Sequence, residues 1–238
     1  MSQLGITYKV VSKEAFQALL PFNILKRQIF WSQPPPHGIV GVDRRRFTDT
    51  DECGIELESV NRTRGHSGAG IRIVKKAHYS KNTKLTIILT VEPGDPALAA
   101  NVYGSRDWPR RWLTINVKAG TTTIDFNDHI EVVCQDLQQH WPAGQVGNDN
   151  RFFLWDNLSS HCAPLVHQTV EAMYNHMIIR RPPYRPRDAP IEYVFCQLVQ
   201  GLQRRQFDVH NNAQLITNIQ NVVMNLRGFY DLFGSLGY

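Results

Sequence analysis

Residues 152–161 read FFLWDNLSSH, in which four apolar or aromatic residues are followed directly by Asp156. Four apolar or aromatic residues in succession, bounded by polar segments, are typical of a buried strand. A carboxylate directly after such a strand is either a turn residue, because Asp-Asn pairs favour turns, or a functional side chain. The elements around this strand and the other acids of the chain bear on that choice.

Helical patterns flank this strand on both sides. Downstream, residues 163–176 are predicted to form a helix, 177–180 a short strand and 190–205 a second helix. Upstream, a helix over 126–141 is predicted, with Asp125 or Asn127 as its cap. Its apolar face comprises Phe126, Ile130, Val133, Cys134 and Leu137.

The first half of the chain predicts antiparallel strands. β-branched residues are frequent in 44–51, 70–79 and 84–93, so a three-stranded meander is predicted there. Such strands followed by β-α-β units indicate an α/β fold, a mixed sheet with helices on its faces. Residues 1–40 are predicted to be an N-terminal arm or linker with a short helix, and 41–238 one domain ending in a C-terminal helix.

Composition narrows the function classes. The 238 residues carry a net charge of +5, and clustered basic residues fit either a polyanion partner or a solvated basic face. The cysteines form no C-x-x-C pair, which argues against a zinc knuckle or a disulfide framework. No apolar signal or membrane-spanning stretch is present, so we expect no secretion and no membrane partner, with a nuclear location in a eukaryote and a cytoplasmic one otherwise.

Three acids lie where predicted elements begin or end. Asp51 is predicted to close the first strand, Asp156 closes the later strand, and Glu192 opens a helix two residues after Pro190. Carboxylates from neighbouring strand ends and a nearby helix start can converge, and their oxygens suit Mg²⁺ or Mn²⁺. Each acid alone also has a structural explanation, since Asp-Asn favours turns and Glu favours the first turn of a helix.

Three blocks around these acids resemble a known family. TDECGIEL (50–57), WDNLSSH (155–161) and RPPYRPRDAPIEYVF (181–195) are similar to the catalytic blocks of mariner-type transposases of the DDE superfamily. Those blocks have the forms (V/I)DE-small-G(F/I), (W/L)DN-x-x-x-H and LPPYSP-x-LNPIE-x-x-(F/W). The 35 residues between Asp156 and Glu192 match the family's spacing, and the resemblance covers roughly residues 40–206. It implies an RNase H-like fold, a five-stranded mixed sheet flanked by helices.

The resemblance also implies roles for individual residues. Asp51, Asp156 and Glu192 would be the catalytic triad that binds two Mg²⁺ or Mn²⁺ ions. Asn157 and His161 would lie beside the triad and either shape the site or contact DNA. Asp49 is a neighbour as well and a rival for the first metal ligand, because residues two apart on a strand point to the same face. Several acids held together should repel, so at least one should have a raised pKa.

The implied reaction is DNA strand cleavage and strand transfer, with double-stranded DNA as partner, both transposon ends and target. A homodimer is compatible with this. The basic loop 61–70 and other basic positions would meet DNA phosphates, although a solvated loop is the plain alternative. The candidate DNA-binding residues are Arg62, Arg64, Lys75, Lys76 and Arg185.

Departures from the family pattern leave an alternative open. The family's apolar run before the first acid is replaced by Thr48, Asp49 and Thr50. A central strand with this sequence would bury a carboxylate, which costs free energy unless Asp49 is paired or joins the metal. Ala189 replaces a helix-capping Asn, a loss of about 1 kcal/mol unless Asp188 takes over; Arg185 replaces a serine. Residues 1–40 resemble only the linker that follows the family's helix-turn-helix modules. The first alternative is therefore a domesticated or decayed, truncated copy that binds DNA without catalysis. A third option is a structure-specific nuclease of the same fold.

Overall fold

A five-stranded mixed sheet forms the centre of the computed structural model, which describes residues 15–56, 84–140, 150–204, 209 and 211–238. The strand order is β3-β2-β1-β4-β5. β1 pairs antiparallel with β2 and β2 antiparallel with β3, whereas β4 is parallel to both β1 and β5. The strands are β1 (Phe47–Glu56), β2 (Lys84–Val91), β3 (Arg111–Asn116), β4 (Phe152–Trp155) and β5 (Met177–Arg180). The predicted fold class, an RNase H-like mixed sheet flanked by helices, is confirmed.

Helices cover both faces of this sheet. Within the described residues, none of them is both long and apolar enough to cross a membrane. α3 continues into a π-helical segment, Gln168–Met173. The α-helices are α1 (Pro21–Ser32), α2 (Thr123–His140), α3 (Pro164–His167), α4 (Pro190–Arg204), α5 (Asn212–Asn225) and α6 (Phe229–Ser235).

Alternate side chains of the strands point to opposite faces of the sheet and contribute to two hydrophobic cores, one on each face. α2 and α3 pack on the face that carries Ile88, Phe153 and Trp155. All five apolar residues predicted to line α2 are buried, none more than 2% exposed. Helices α4, α5 and α6 pack on the opposite face, which carries Phe47 and Leu154. The predicted caps of α2, Asp125 or Asn127, were wrong, because α2 begins earlier, at Thr123. Its cap is Thr122, whose hydroxyl accepts from the Asp125 N–H while the Asp125 carboxylate accepts from the Thr122 N–H.

The meander prediction was partly wrong. The predicted strand 70–79 lies outside the described residues, and β1 pairs directly with β2. The third strand of the antiparallel half is β3, which sequence reasoning missed because it begins with a basic residue in a basic segment. Arg111 is nevertheless buried there, since its guanidinium donates to the carbonyls of Val223 and Leu226, both at 2.7 Å.

The described part of the predicted arm packs against the domain. Phe30 of α1 is 1% exposed and makes an edge contact with the ring of Tyr238. The Arg27 guanidinium forms an ion pair with Asp188 at 2.6 Å. The division at residue 40 stays a prediction, but α1 contributes to the core that lies under α4.

Candidate active site

Strand register brings Asp51 and Asp156 to the same place. The last parallel pair between β1 and β4 is Asp49 with Leu154, and each acid lies two residues beyond it. The prediction that Asp51 closes its strand was wrong, because β1 continues to Glu56 through its antiparallel pairing with β2. Asp51 still lies where β1 loses β4 as a neighbour, so its side chain can face the open end of β4.

An open cavity of about 400 Å³ lies at this position. Asp51, Asp156 and Glu192 all line it, supplied by β1, the end of β4 and the first turn of α4. Asp49, the rival for the first position, is fully buried and is not among the lining residues. The structure therefore places Asp51, rather than Asp49, beside the other two acids.

A histidine holds Asp156 in place. His161 Nδ1 lies 2.7 Å from Asp156 Oδ1, and its Nε2 lies 2.8 Å from Glu52 Oε2. The imidazole is fully buried and stacks on Phe126 at a centroid distance of 4.0 Å. Burial lowers the pKa of His161, but the hydrogen bonds to Asp156 and Glu52 outweigh it and raise the pKa to about 9. His161 is thus a cation that bridges two carboxylates.

The three acids of the cavity differ in their pKa. Burial raises the pKa of Asp156, but the hydrogen bonds from His161 and the Leu158 N–H reverse this and leave it below its usual value. Burial raises the pKa of Asp51, and Arg181 offsets this only in part. The pKa of Glu192 is raised by burial first and by the Asp51 carboxylate second. The expected raised pKa thus occurs at two acids, although burial contributes more than mutual repulsion.

Asp49 and Arg181 form a buried ion pair behind the cavity. Arg181 Nη1 lies 3.1 Å from Asp49 Oδ1, and Arg181 Nη2 lies 2.6 Å from Asp51 Oδ2. The second oxygen of Asp49 accepts a 2.9 Å hydrogen bond from the Ile191 N–H at the start of α4. Asp49 thereby caps the helix that carries Glu192. Asp188, considered as a substitute cap for the missing Asn, pairs with Arg27 instead.

The donor set suits a hard divalent cation, but its members are not gathered around one point. Among the described residues, no group of three His, Cys, Asp or Glu side chains is arranged to hold a metal ion. Three carboxylates nevertheless face one cavity, and the Glu192 carboxylate makes no hydrogen bond or ion pair with any described residue. Carboxylate oxygens are what Mg²⁺ and Mn²⁺ prefer, so the chemistry of the donors fits these ions.

The rim of the cavity carries a strained aromatic residue. Tyr184 has a φ of 59° and is 54% exposed, a backbone conformation that is uncommon for a bulky side chain. Arg185 also lines the cavity, and its guanidinium donates to the Ala18 carbonyl at 3.3 Å. Asn157 lies on the same rim, with its amide 3.5 Å from the Arg181 carbonyl. The other predicted DNA contacts lie outside the described residues: Arg62, Arg64, Lys75 and Lys76.

Sequence reasoning missed two residues of this site, Arg181 and Glu52. Arg181 stands where the family pattern has leucine, and that exchange was the available signal. Glu52 is part of the DE pair in the first block, yet its contact with His161 depends on the distance between β1 and the segment after β4. Both contacts connect residues far apart in sequence.

A sequence profile of the DDE superfamily endonucleases matches residues 47–214 of the chain, a range that contains all three acids. The chain belongs to this family. The resemblance predicted from the three blocks is thereby confirmed at the level of the DDE superfamily. Among curated protein sequences, no significant match was found.

Solved structures of Mos1 mariner transposase share the fold. The Mos1 paired-end complex with Mn superposes with a TM-score of 0.68 at 16% identity, over 99% of this chain and 64% of that one. A pre-cleavage Mos1 transpososome gives 0.67 at 17% identity, over 99% and 68%. The isolated Mos1 catalytic domain gives 0.61 at 16% identity, over 95% and 92%. The DDE endonuclease chain therefore spans 64% of the Mos1 chain in the paired-end complex and nearly all of the isolated catalytic domain.

Proposed function

We propose that this DDE endonuclease is the catalytic domain of a mariner-type transposase, which cleaves and joins DNA strands with the help of divalent metal ions. The observation that carries the proposal is the convergence of Asp51, Asp156 and Glu192 on one open cavity. The three acids come from separate elements, so no local turn or cap requires them to meet. In a member of the DDE superfamily, a shared catalytic role is the simplest reason for this placement.

The three carboxylates would hold the metal ions, and His161 would keep Asp156 in one orientation. When bound, two Mg²⁺ or Mn²⁺ ions would activate an attacking oxygen and stabilise the leaving oxygen of a phosphodiester. Arg181 holds Asp51 from behind, and Asp49 fixes the start of α4 so that Glu192 stays at the cavity. The chain thus contributes positioning and charge. The Mos1 paired-end complex with Mn supports this choice of metal.

Double-stranded DNA is the proposed substrate. The Mos1 relatives include paired-end complexes with transposon ends, and the positive net charge of this chain suits a polyanion. Tyr184 and Arg185 at the rim, together with the basic loop 61–70, are the proposed contacts to the strand that enters the cavity. A homodimer that joins two transposon ends belongs to the same proposal.

The test is nicking of supercoiled DNA in the presence of Mg²⁺ or Mn²⁺. Asp156→Asn keeps the shape of the side chain and removes its charge, so nicking should fall at least a hundredfold, or by about 2.7 kcal/mol of barrier height. Asp231→Asn is the matched control, because Asp231 is 65% exposed and pairs with Arg106 on the surface. Equal nicking by the wild type and Asp156→Asn would exclude the assigned site.

A second candidate is a DNA-binding protein of this family that no longer cleaves. The contact of Arg181 with Asp51 favours it, because this cation already neutralises one of the three acids. Retained duplex binding without metal-dependent nicking, in both the wild type and the Asp231→Asn variant, would support this candidate over the enzyme.

A further inference from the structure

Arg181 occupies a position that follows from the register of three strands. β4 pairs with β5 through Trp155 and Arg180, so Arg181 is the next residue across from Asp156, as Asp51 is on the other side. The guanidinium is 5% exposed and also lies 3.4 Å from the Thr50 carbonyl. A buried cation therefore lies in the same row as two of the three proposed metal ligands.

Asp49 explains why a cation is needed there. This carboxylate is fully buried, and one of its oxygens is used by the Ile191 N–H. Its other oxygen faces Arg181 at 3.1 Å, without the geometry of a hydrogen bond. A buried carboxylate without a compensating charge is strongly destabilising. The acid on β1 and the arginine after β5, both departures from the family pattern, thus compensate one another.

The same guanidinium reaches the cavity side. Asp51 Oδ2 accepts its 2.6 Å hydrogen bond, and Asp51 Oδ1 accepts another from the Glu52 N–H at 2.8 Å. Both oxygens of Asp51 therefore have donors already. A metal ion can bind Asp51 only if it displaces Arg181 or shares the carboxylate with it. Sharing is unfavourable, because two cations side by side repel each other.

We propose that Arg181 is a built-in competitor of the divalent metal, a positioning residue that holds Asp51 and weakens cation binding at this site. The inference rests on the proposed function, because it assumes that Asp51 and Asp156 are metal ligands. It goes further by assigning to a residue of the chain itself an effect that lowers the affinity for Mg²⁺ and Mn²⁺. Removal of Arg181 together with Asp49 should strengthen metal binding.

The test uses the paired variant Asp49→Asn/Arg181→Met. Replacing Arg181 alone would leave Asp49 buried and unpaired, whereas the Asp49→Asn change gives a neutral side chain whose oxygen can still accept from the Ile191 N–H. The matched control is Glu92→Gln/Arg151→Met, which removes a second buried ion pair, 3.2 Å long, at the other end of β4. Mn²⁺ binding is measured for each protein by calorimetry and by the loss of the free-ion electron paramagnetic resonance signal, with Asp156→Asn in each background.

The Asp49→Asn/Arg181→Met variant should bind Mn²⁺ about tenfold or more tightly than the wild type, through a site that Asp156→Asn removes, whereas the control pair should not. Unchanged or weaker binding would overturn the inference. If the wild type nevertheless binds Mn²⁺ through Asp156, the proposed function stands without the inference about Arg181. If only the paired variant binds, the inference holds and the metal-dependent function of the wild type fails. If neither binds, both fail.

Discussion

His161 is the residue on which the geometry of the second acid depends. It is buried between Asp156 and Glu52, and its Nε2 contacts Glu52 Oε2, whereas no partner of Glu52 Oε1 is found among the described residues. Without the imidazole, the Glu52 side chain, which is 11% exposed, would lie unpaired next to another acid. The bridge therefore serves stability as well as positioning.

His161→Ala should lower the free energy of unfolding by about 3 kcal/mol, because it leaves the Glu52 carboxylate, only 11% exposed, without its cation. His37→Ala is the control, since His37 is exposed. That change should stay below about 0.5 kcal/mol. Urea denaturation at neutral pH measures both; similar values for the two variants would contradict the bridge.

Tyr184 combines backbone strain with exposure at the cavity rim. Tyr184→Asn should raise the free energy of unfolding by up to about 1 kcal/mol, because asparagine tolerates a positive φ better. The same change should lower DNA nicking several-fold if the ring stacks on a base. Tyr193→Asn is the stability control, because Tyr193 is 39% exposed and lies in regular helix. A Tyr184→Asn variant no more stable than the wild type and equally active would contradict both parts.

At the scale of elements, α2 is attached to the sheet by a buried polar chain. Thr50 Oγ1 lies 2.8 Å from Thr90 Oγ1, which lies 2.8 Å from His129 Nε2, and His129 Nδ1 lies 2.8 Å from Thr114 Oγ1. The imidazole thus contacts β2 and β3 directly, and β1 joins the chain through Thr90. Burial lowers the pKa of His129 to about 3, so this imidazole is neutral at ordinary pH.

His129 should make the fold sensitive to acid. Its folded pKa of about 3 lies below that of the unfolded chain, so its contribution is present above pH 6.5 and is lost as the pH falls toward 3. From pH 7.5 to 5.5, the wild type should lose about 1.4 kcal/mol more stability than His129→Gln. The contributions of the other titrating groups cancel when the two proteins are compared. These groups include His161, whose raised pKa changes the stability in the opposite direction.

Urea denaturation of both proteins at the two pH values measures this difference. His37→Gln serves as the control, because His37 is exposed, and it should follow the wild type. Parallel pH profiles for the wild type and His129→Gln would mean that the imidazole is not held neutral in the fold.

Periodic sequence patterns predicted individual helices and strands. They could not predict the register between strands that are far apart in sequence. The apolar face of α2 and the run that forms β4 depend on neighbouring residues, so both were predictable. β3 was not predictable, because Arg111 can be buried only where the carbonyls of residues near 225 accept its hydrogen bonds. The three acids could be found from their blocks, whereas the role of Arg181 depends on which residues of β1, β4 and β5 are aligned.

At the scale of the whole molecule, net positive charge predicts how the chain meets DNA. Binding should depend mainly on phosphate contacts and fall steeply with salt. Arg62→Ala/Arg64→Ala should weaken binding to all duplexes and flatten the salt slope by up to about two units. Arg106→Ala/Arg227→Ala removes the same charge at two exposed positions and should leave the slope unchanged. Fluorescence anisotropy across salt concentrations measures this; equal slopes in all three proteins would leave the loop without a role.

The pairing of Asp49 with Arg181 also constrains how this sequence can evolve. Replacing Arg181 first leaves Asp49 buried without its cation, and breaking a buried pair in this way typically costs about 3–5 kcal/mol, a large part of an ordinary domain's stability. Replacing Asp49 first is less costly, because Arg181 keeps the Asp51 carboxylate as a partner. A return to apolar side chains at both positions should therefore lose Asp49 before Arg181. We expect descendants of this sequence that lack Arg181 to lack Asp49 as well.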